Sequence, residues 1–512
     1  MTGSSVHSAF AINPPKRNTY LGIIVLTALL AIYISHALPP DRGWCGIVMN
    51  NWHDYGILPL KGQLVANPGG IQQAEAWQVY PGHRPTLLYL PYLLKGEANP
   101  ATFRAGLYQA GMFLIMVIGM QALFGYGYRG VIAALFLTLC PGYILNLNRI
   151  DTISYPAVLG ISIMGIAGSI LAKKEISRTQ MGGIFLLVGA FLLTNWSAAF
   201  SLGILVPYLL VKNPQISRRL LAFLVPLGII AVAVLFVSMS SRTHEGATGG
   251  SFWNSYLFGP AGYDGSGMNW SKALLRISVV NVVAWLPLFG LGAVFVKRYG
   301  FQHRHRFVAF LPLVAAIFTV LLMRNYHAHH PWGATSFIGL GLLLTLELLT
   351  SPGNGTEEKS PAGNWCQVSI FMLAVIYCLI WMGTYQYNTK EITSLGRLID
   401  HTERNSTIIT SDAWVPKEFQ GRDFSLMMDR KFVPLEEWKH DNLAIRAKTG
   451  AVYLISPSPE PTRGEPFAQS SLPSSLAGRY SEKMLNFYRS NISRRSAADR
   501  INFYPEYYLY KL

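Results

Sequence analysis

Asp41 is the residue of this chain best placed to take a proton from an incoming acceptor. It follows Pro39-Pro40, directly after the first long apolar run, where a carboxylate stands at the membrane surface. A general base must lie within hydrogen-bond reach of the hydroxyl or amine that it deprotonates. The other reading of Asp41 is an N-cap for a helix starting near Arg42. Asp54, in the run Asn51-Trp52-His53-Asp54-Tyr55-Gly56, is a second carboxylate in the same stretch. A third is Asp151, in Asn148-Arg149-Ile150-Asp151-Thr152, between two apolar runs. A charge so near the membrane core is costly and usually faces a cavity or a partner. A local pair with Arg149, or a cap for a helix starting near Ser154, is the alternative.

Positive charge stands close by. Arg84 lies in Tyr80-Pro81-Gly82-His83-Arg84-Pro85-Thr86-Leu87-Leu88-Tyr89. A guanidinium beside proline, just outside a membrane, is suited to a phosphate; contact with lipid headgroups is the competing reading. Trp52 and Tyr89 read as interfacial anchors. A late loop, Arg324-Asn325-Tyr326-His327-Ala328-His329-His330-Pro331, carries three histidines. His327 with His330, or His329 with an acid elsewhere, has the chemistry to hold a divalent metal, but the spacing is not a strong zinc signature. An interfacial polar cluster is the plainer reading. No motif requires a cofactor.

These residues need a frame, and the composition supplies one. Of 512 residues, 51% are hydrophobic and 13% charged, about half the charged share of a soluble domain. The deficit falls in residues 1–385. Spanning helices need about 20 mostly apolar residues, and candidates lie near 20–36, 105–124, 131–147, 154–172, 181–195, 198–211, 220–239, 274–296, 307–323, 335–350 and 366–385. The pair at 181–211 reads as two spans, a re-entrant pair or one bent helix. With the N-terminus in the cytoplasm and eleven spans, Lys and Arg gather on the inner side, at Lys16, Arg17, Arg129, Lys173, Lys174, Arg178, Lys212, Arg218, Arg219, Lys297, Arg298, Arg304, Arg306 and Lys359. The short outer loops carry only Arg149 and Arg324. This is the positive-inside pattern. It places the long first loop, 37–103, and the last quarter of the chain outside, in a multi-pass protein of the bacterial inner membrane type.

The net charge of +16 belongs mostly to the membrane region. Residues 386–512 hold 18 Lys and Arg against 15 Asp and Glu. A basic surplus in short membrane loops reflects topology and anionic headgroups, and no basic, aromatic face argues for nucleic acid. Cys45, Cys140, Cys366 and Cys378 form no C-x-x-C pair, so a disulfide framework or a cysteine zinc site is not expected. Residues 386–512 read as a small soluble α/β domain, with strands at 407–410, 451–455 and 507–510 and helices near 391–403 and 476–490. A glycine-rich outer loop at 240–272 reads as a linker or as a loop that orders on binding.

In order and spacing these pieces resemble the GT-C superfamily of membrane glycosyltransferases. The resemblance is to the branch holding the protein O-mannosyltransferases and the lipid A aminoarabinose transferases, and it covers roughly residues 20–340. In that family an Asp-Glu pair opens the first outer loop and a glycine follows about fifteen residues later; Asp41 and Gly56 match these. A Glu-Lys-Pro-Pro segment is matched in place by His83-Arg84-Pro85. An arginine opening the second helix is matched by Arg104, and an aspartate before the fourth helix by Asp151. A basic residue with Tyr and Pro in a late outer loop is matched by Arg324, Tyr326 and Pro331. Three positions depart from the pattern: Arg42 stands for the family's Glu, His83 for its second Glu, and Asn195 for a Lys of the paired short helices.

The resemblance implies an enzyme that moves a sugar from a polyprenyl-phosphate donor, drawn from the membrane lipid, to an acceptor on the outer face. Asp41 would be the base, Asp151 would orient the acceptor or share that role, and Asp54 would be the reserve. Arg84, Arg104 and Arg324 would meet the departing phosphate, with His83 and Tyr326 beside the substrate. The acceptor stays open among glycan, lipid and protein. A lipid or polysaccharide flippase or transporter would instead show internal repeats and ionisable residues at mid-helix. Neither is evident. A non-catalytic subunit of the cell envelope is the third reading.

Overall fold

The computed structural model describes residues 44–71, 77–78, 86–95, 214–240, 372–381, 390–410, 428–448, 451–460, 465–471 and 506–512, with parts of 271–287 and scattered single positions. The chain divides into two compact units. The first comprises Met1–His36, Gly106–Val237 and Thr248–Trp381; the second comprises Ala37–Ala105, Ser238–Ala247 and Met382–Leu512. The expected first outer loop and the expected soluble domain thus fall in one unit.

In the first unit the described helices turn apolar side chains outward. Leu21, Val25 and Leu29, spaced one turn apart, are all exposed. So are Leu373, Ile376, Leu379 and Ile380, while Ala374, Cys378 and Trp381 are buried. Burial at 374, 378 and 381 follows the helical period, and the Tyr377 hydroxyl donates to the Val283 carbonyl at 2.8 Å across to a second helical stretch. Helices that bury small and aromatic residues and expose leucine and isoleucine suit lipid better than water. The expected span near 220–239 lies within one continuous helix, Pro214–Ser240, 27 residues long, with side chains described at about half of its positions. Among the described residues, no helix is long and apolar enough to cross a membrane.

The second unit is built around a five-stranded sheet. Its strands are β1 (Thr407–Thr410), β2 (Lys431–Pro434), β3 (Val452–Ser456), β4 (Ala468–Ser471) and β5 (Glu506–Lys511), in the order β2-β1-β3-β5-β4. β1 pairs in parallel with β2 and β3; β5 pairs antiparallel with β3 and β4. Strand residues alternate between two cores. Ile408, Tyr453, Ile455, Tyr507 and Leu509 pack with Leu395, Leu398 and Ile399 from a helix at Lys390–Ile399. Ile409, Val452, Leu454, Tyr508 and Tyr510 pack on the other face with Trp438, from a helix at Leu435–Lys448 that kinks at Asp441. Burial on both faces explains why β1, β3 and β5 read as unbroken apolar runs. The helix expected near 476–490 lies outside the described residues.

Two helices of the first loop complete this unit as described. In chain order they are α1 (Trp44–Tyr55) and α2 (Thr86–Lys95). The expected start near Arg42 lies outside the described residues. α1 buries Cys45, Ile47, Val48, Met49, Asn51 and Trp52. Gly56 ends it at φ +84°, a left-handed position where glycine carries no Cβ penalty, with its N–H donating to the Trp52 carbonyl at 2.9 Å. Trp52 is 0% exposed and is not an interfacial anchor. Its ring packs at 5.4 Å on Tyr89 and edge-on at 5.6 Å to Tyr92, and its Nε1 donates to the Gln63 carbonyl at 2.9 Å. The reason is local: α2 presents Tyr89 and Tyr92 three residues apart, on one face, to one indole.

Candidate functional site

One polar cluster joins α1 to the sheet. Arg404 precedes β1, and Asp429 precedes β2 in a left-handed conformation, φ +51°. The Arg404 Nε donates to Asp429 Oδ2 at 2.8 Å and its Nη2 to Asp429 Oδ1 at 3.1 Å. Nη2 also donates to Asn51 Oδ1 at 2.8 Å and to the Ile47 carbonyl at 3.4 Å. Nη1 is ion-paired with Asp54 Oδ2. Asp429 accepts two further bonds, from Asn50 Nδ2 at 2.8 Å and from the Gly69 N–H at 3.0 Å. Asn51 in turn donates to the carbonyls of Val65, at 2.8 Å, and Asn67, at 3.2 Å. A single guanidinium therefore ties α1 and, through Asp429, the segment at Gly69 to the strand ends of the sheet.

The electrostatics are those of a closed pair rather than an open binding site. Burial alone would lower the pKa of Arg404, but the charges and hydrogen bonds of Asp429, and after it of Asp54, outweigh burial and hold it above the ordinary arginine value. All three of its nitrogens have partners, so it is not available to a phosphate. Gly69 sits at φ +71°, and a Cβ there would stand 2.9 Å from the Arg404 carbonyl oxygen. The close approach of that backbone to Arg404 therefore requires glycine. Next to the cluster, Arg430 is satisfied by Thr402, through Oγ1 at 3.0 Å and the carbonyl at 2.9 Å, and by the Asp429 carbonyl at 2.9 Å.

Of the residues singled out in the sequence, Asp54 is among those described, and it stands in the ion pair with Arg404. Asp41, His83, Arg84, Arg104, Asp151, Arg324 and Tyr326 lie outside the described residues, as do the histidines at 327, 329 and 330. Among the described residues no group of three or more His, Cys, Asp or Glu is arranged to hold a metal ion. Sequence reasoning missed Arg404, Asp429 and Asn50. No local pattern marks them: Arg404 and Asp54 are 350 residues apart.

No family model matches the chain, and no curated protein matches it either. The fold is nonetheless similar to that of a solved membrane-lipid-binding protein. The likeness that carries this is to ArnT from Cupriavidus metallidurans bound to undecaprenyl phosphate, at 12% sequence identity, with a TM-score of 0.51, covering 97% of this chain and 98% of that one. The same ArnT in the apo state is similar over 88% of this chain and 96% of that one, at 12% identity and a TM-score of 0.46. The arabinofuranosyltransferase AftD from Mycobacteria is similar over 75% of this chain and 29% of its own length, at 16% identity and a TM-score of 0.42.

Proposed function

We propose that this chain is a membrane glycosyltransferase that moves a sugar from a polyprenyl-phosphate donor to an acceptor on the outer face of the membrane. The observation that carries the reading is the end-to-end likeness in fold to ArnT, whose structure holds undecaprenyl phosphate. It is joined by the ordered residues Asp41, Gly56, Arg84, Arg104, Asp151 and Arg324 in the sequence. Residues 1–385 supply the spans, and the first loop and the α/β region face the extracytoplasmic side.

The chemistry follows from what such a donor requires. As the sugar leaves, negative charge builds on the phosphate, and fixed cations stabilise it without reorganising. Arg84, Arg104 and Arg324 are assigned to that task, with His83 and Tyr326 beside the sugar and phosphate. The acceptor hydroxyl or amine loses its proton to Asp41, and Asp151 orients the acceptor. Asp54, engaged by Arg404, is assigned to holding α1. The sequence requires no metal, and chelation in the transfer assay reads whether a divalent ion acts at the phosphate.

The test is sugar transfer in membranes containing the chain, with labelled polyprenyl-phosphate sugars as donors and endogenous lipid, glycan and protein as acceptors. Transfer is expected, and Asp41→Asn is expected to lower it by about 100-fold or more, the range for losing a general base. Undiminished transfer by Asp41→Asn would remove Asp41 from the role.

A further inference from the structure

Asp41 stands three residues before Trp44, the first residue of α1. Whatever holds α1 therefore holds a helix whose first described residue is three positions along the chain from the proposed base. The structure shows what does so: Arg404 and Asp429, both from the region after the last expected span. Arg404 reaches Ile47, Asn51 and Asp54, which lie along one face of α1 at spacings of four and three residues. Asp429 adds Asn50 on the next turn and anchors Gly69. The contacts grip the helix over two turns, which restrains both its rotation and its slide.

We infer that Arg404 and Asp429 are positioning residues for the transfer reaction: they clasp α1 and so set the placement of the segment carrying Asp41. The inference rests on the proposed transferase reading for its link to chemistry, and on the observed geometry for the clasp itself. It gives the α/β region a role within the reaction. The sheet is well packed, with β1 and β3 buried on both faces, and Arg404 and Asp429 stand three and two residues before β1 and β2. A site held from such an element keeps its geometry better than one held from a loop.

The experiment uses the full chain in membranes and has two independent readouts. The first is alkylation of Cys45, which lies on α1 and is buried, followed at the peptide level with N-ethylmaleimide. Arg404→Met keeps the length of the side chain and removes its donors; it is expected to speed Cys45 labelling about tenfold by opening α1 locally. The second is transfer kinetics, normalised to folded protein. kcat is expected to fall about 10- to 100-fold, the scale set by misplacing a reacting group by an ångström, with the KM for the polyprenyl-phosphate sugar held within about twofold.

A merely structural clasp would lower the amount of folded protein and leave kcat per folded molecule unchanged, which would overturn the inference. Cys45 labelling as slow as in the wild type would overturn it as well. Where Arg404→Met does not accumulate, Asp54→Asn removes one partner only, and a smaller fall in kcat, about threefold, is expected from the weaker pair. A wild-type chain that transfers no sugar from any polyprenyl-phosphate donor would overturn the transferase reading and the positioning role with it, while Cys45 labelling would still decide whether Arg404 holds α1.

Discussion

Removing Asp429 should cost the second unit far more stability than removing Asp54, although both aspartates face the same arginine. Asp429 is 16% exposed and accepts four hydrogen bonds, two from Arg404 and one each from Asn50 and Gly69. Asp54 is 39% exposed and, among the described residues, its side chain meets Arg404. Breaking a buried pair by deleting one partner costs roughly 3–5 kcal/mol, because the other charge stays buried without compensation. Exposed pairs are worth about 0–1 kcal/mol after screening and side-chain entropy. Arg404 is 19% exposed, so Asp429→Ala should fall near the lower end of the buried range, at about 3 kcal/mol. Asp54→Ala should cost about 0.5–1 kcal/mol, since Arg404 keeps Asp429 and Asn51.

The second unit spans roughly 200 residues, for which 1 kcal/mol moves the melting midpoint by about 2–4 °C. Asp429→Ala is then expected to lower it by about 6–12 °C, and Asp54→Ala by no more than about 4 °C. Melting of the detergent-solubilised chain, followed by tryptophan fluorescence, measures both. Ala at φ +51° adds a backbone penalty of about 1 kcal/mol. Asp429→Asn, which tolerates that conformation, separates the backbone effect from the charge. Equal shifts for the two alanine variants, or a larger one at Asp54, would refute the claim that Asp429 is the main partner. The sign with pH is also fixed. A pKa of Arg404 raised by folding gives stability that is complete below the ordinary arginine value and lost only as pH rises through the folded value. The arginine side of the clasp should therefore hold throughout the neutral range.

Three further outcomes follow from the same unit. Gly69→Ala should cost about 1–3 kcal/mol, because φ is +71° and the new Cβ meets the backbone carbonyl of Arg404; a melting midpoint unchanged from the wild type would contradict that close approach. Trp52→Ala should cost about 3–5 kcal/mol, more than Trp52→Phe, which retains ring contact with Tyr89 and Tyr92 and loses only the indole hydrogen bond to the Gln63 carbonyl, which the Val65 N–H still pairs; denaturant titration of the pair of variants distinguishes them. Burial raises the Tyr89 pKa above its ordinary 10.0. The fold therefore favours the protonated phenol, and its contribution is full below pH 10 and declines above it. Tyr89→Phe should flatten that decline in a pH series of melting curves, at the cost of the 3.1 Å hydrogen bond to the Gly62 carbonyl, about 0.5–1.5 kcal/mol.

What the sequence disclosed of this unit tracks how local each interaction is. β1, β3 and β5 were legible because both of their faces are buried, leaving apolar runs bounded by polar residues. The edge strands were not. β2 is Lys-Phe-Val-Pro, with one fully buried residue, and β4 is Ala-Gln-Ser-Ser. Edges need little apolar surface, and proline is tolerated there. The helix at Leu435–Lys448 has charges on all sides and a kink at Asp441, so its periodicity is weak. α1 was legible only through Asp41 as an alternative cap for a helix starting near Arg42, because Asn50, Asn51, His53 and Asp54 make its body look like a loop. Its asparagines are satisfied by carbonyls and a carboxylate that arrive from 14 to 379 residues away. Trp52 and Tyr89 suggested a membrane interface because amphipathic aromatics favour it; mutual stacking buries the indole instead.

A twelve-residue helix is marginal on its own in water, and α1 carries a proline-rich entry on one side and a glycine stop on the other. Its apolar face finds partners in α2, and its polar face presents two asparagines and an aspartate. Left in water, that polar face would be satisfied but unplaced, since solvent fixes no orientation. Arg404 exchanges solvent for a planar fork of donors, whose geometry admits few arrangements of Ile47, Asn51 and Asp54 at once. The exchange adds little net stability for the exposed member and more for the buried one, so what the cluster chiefly supplies is a unique orientation of α1. Orientation is the quantity that the proposed transfer reaction would draw on, because a lipid-linked donor is confined to the bilayer. On this argument the α/β region and the first loop are one device, and its worth should be read in kcat rather than in donor affinity.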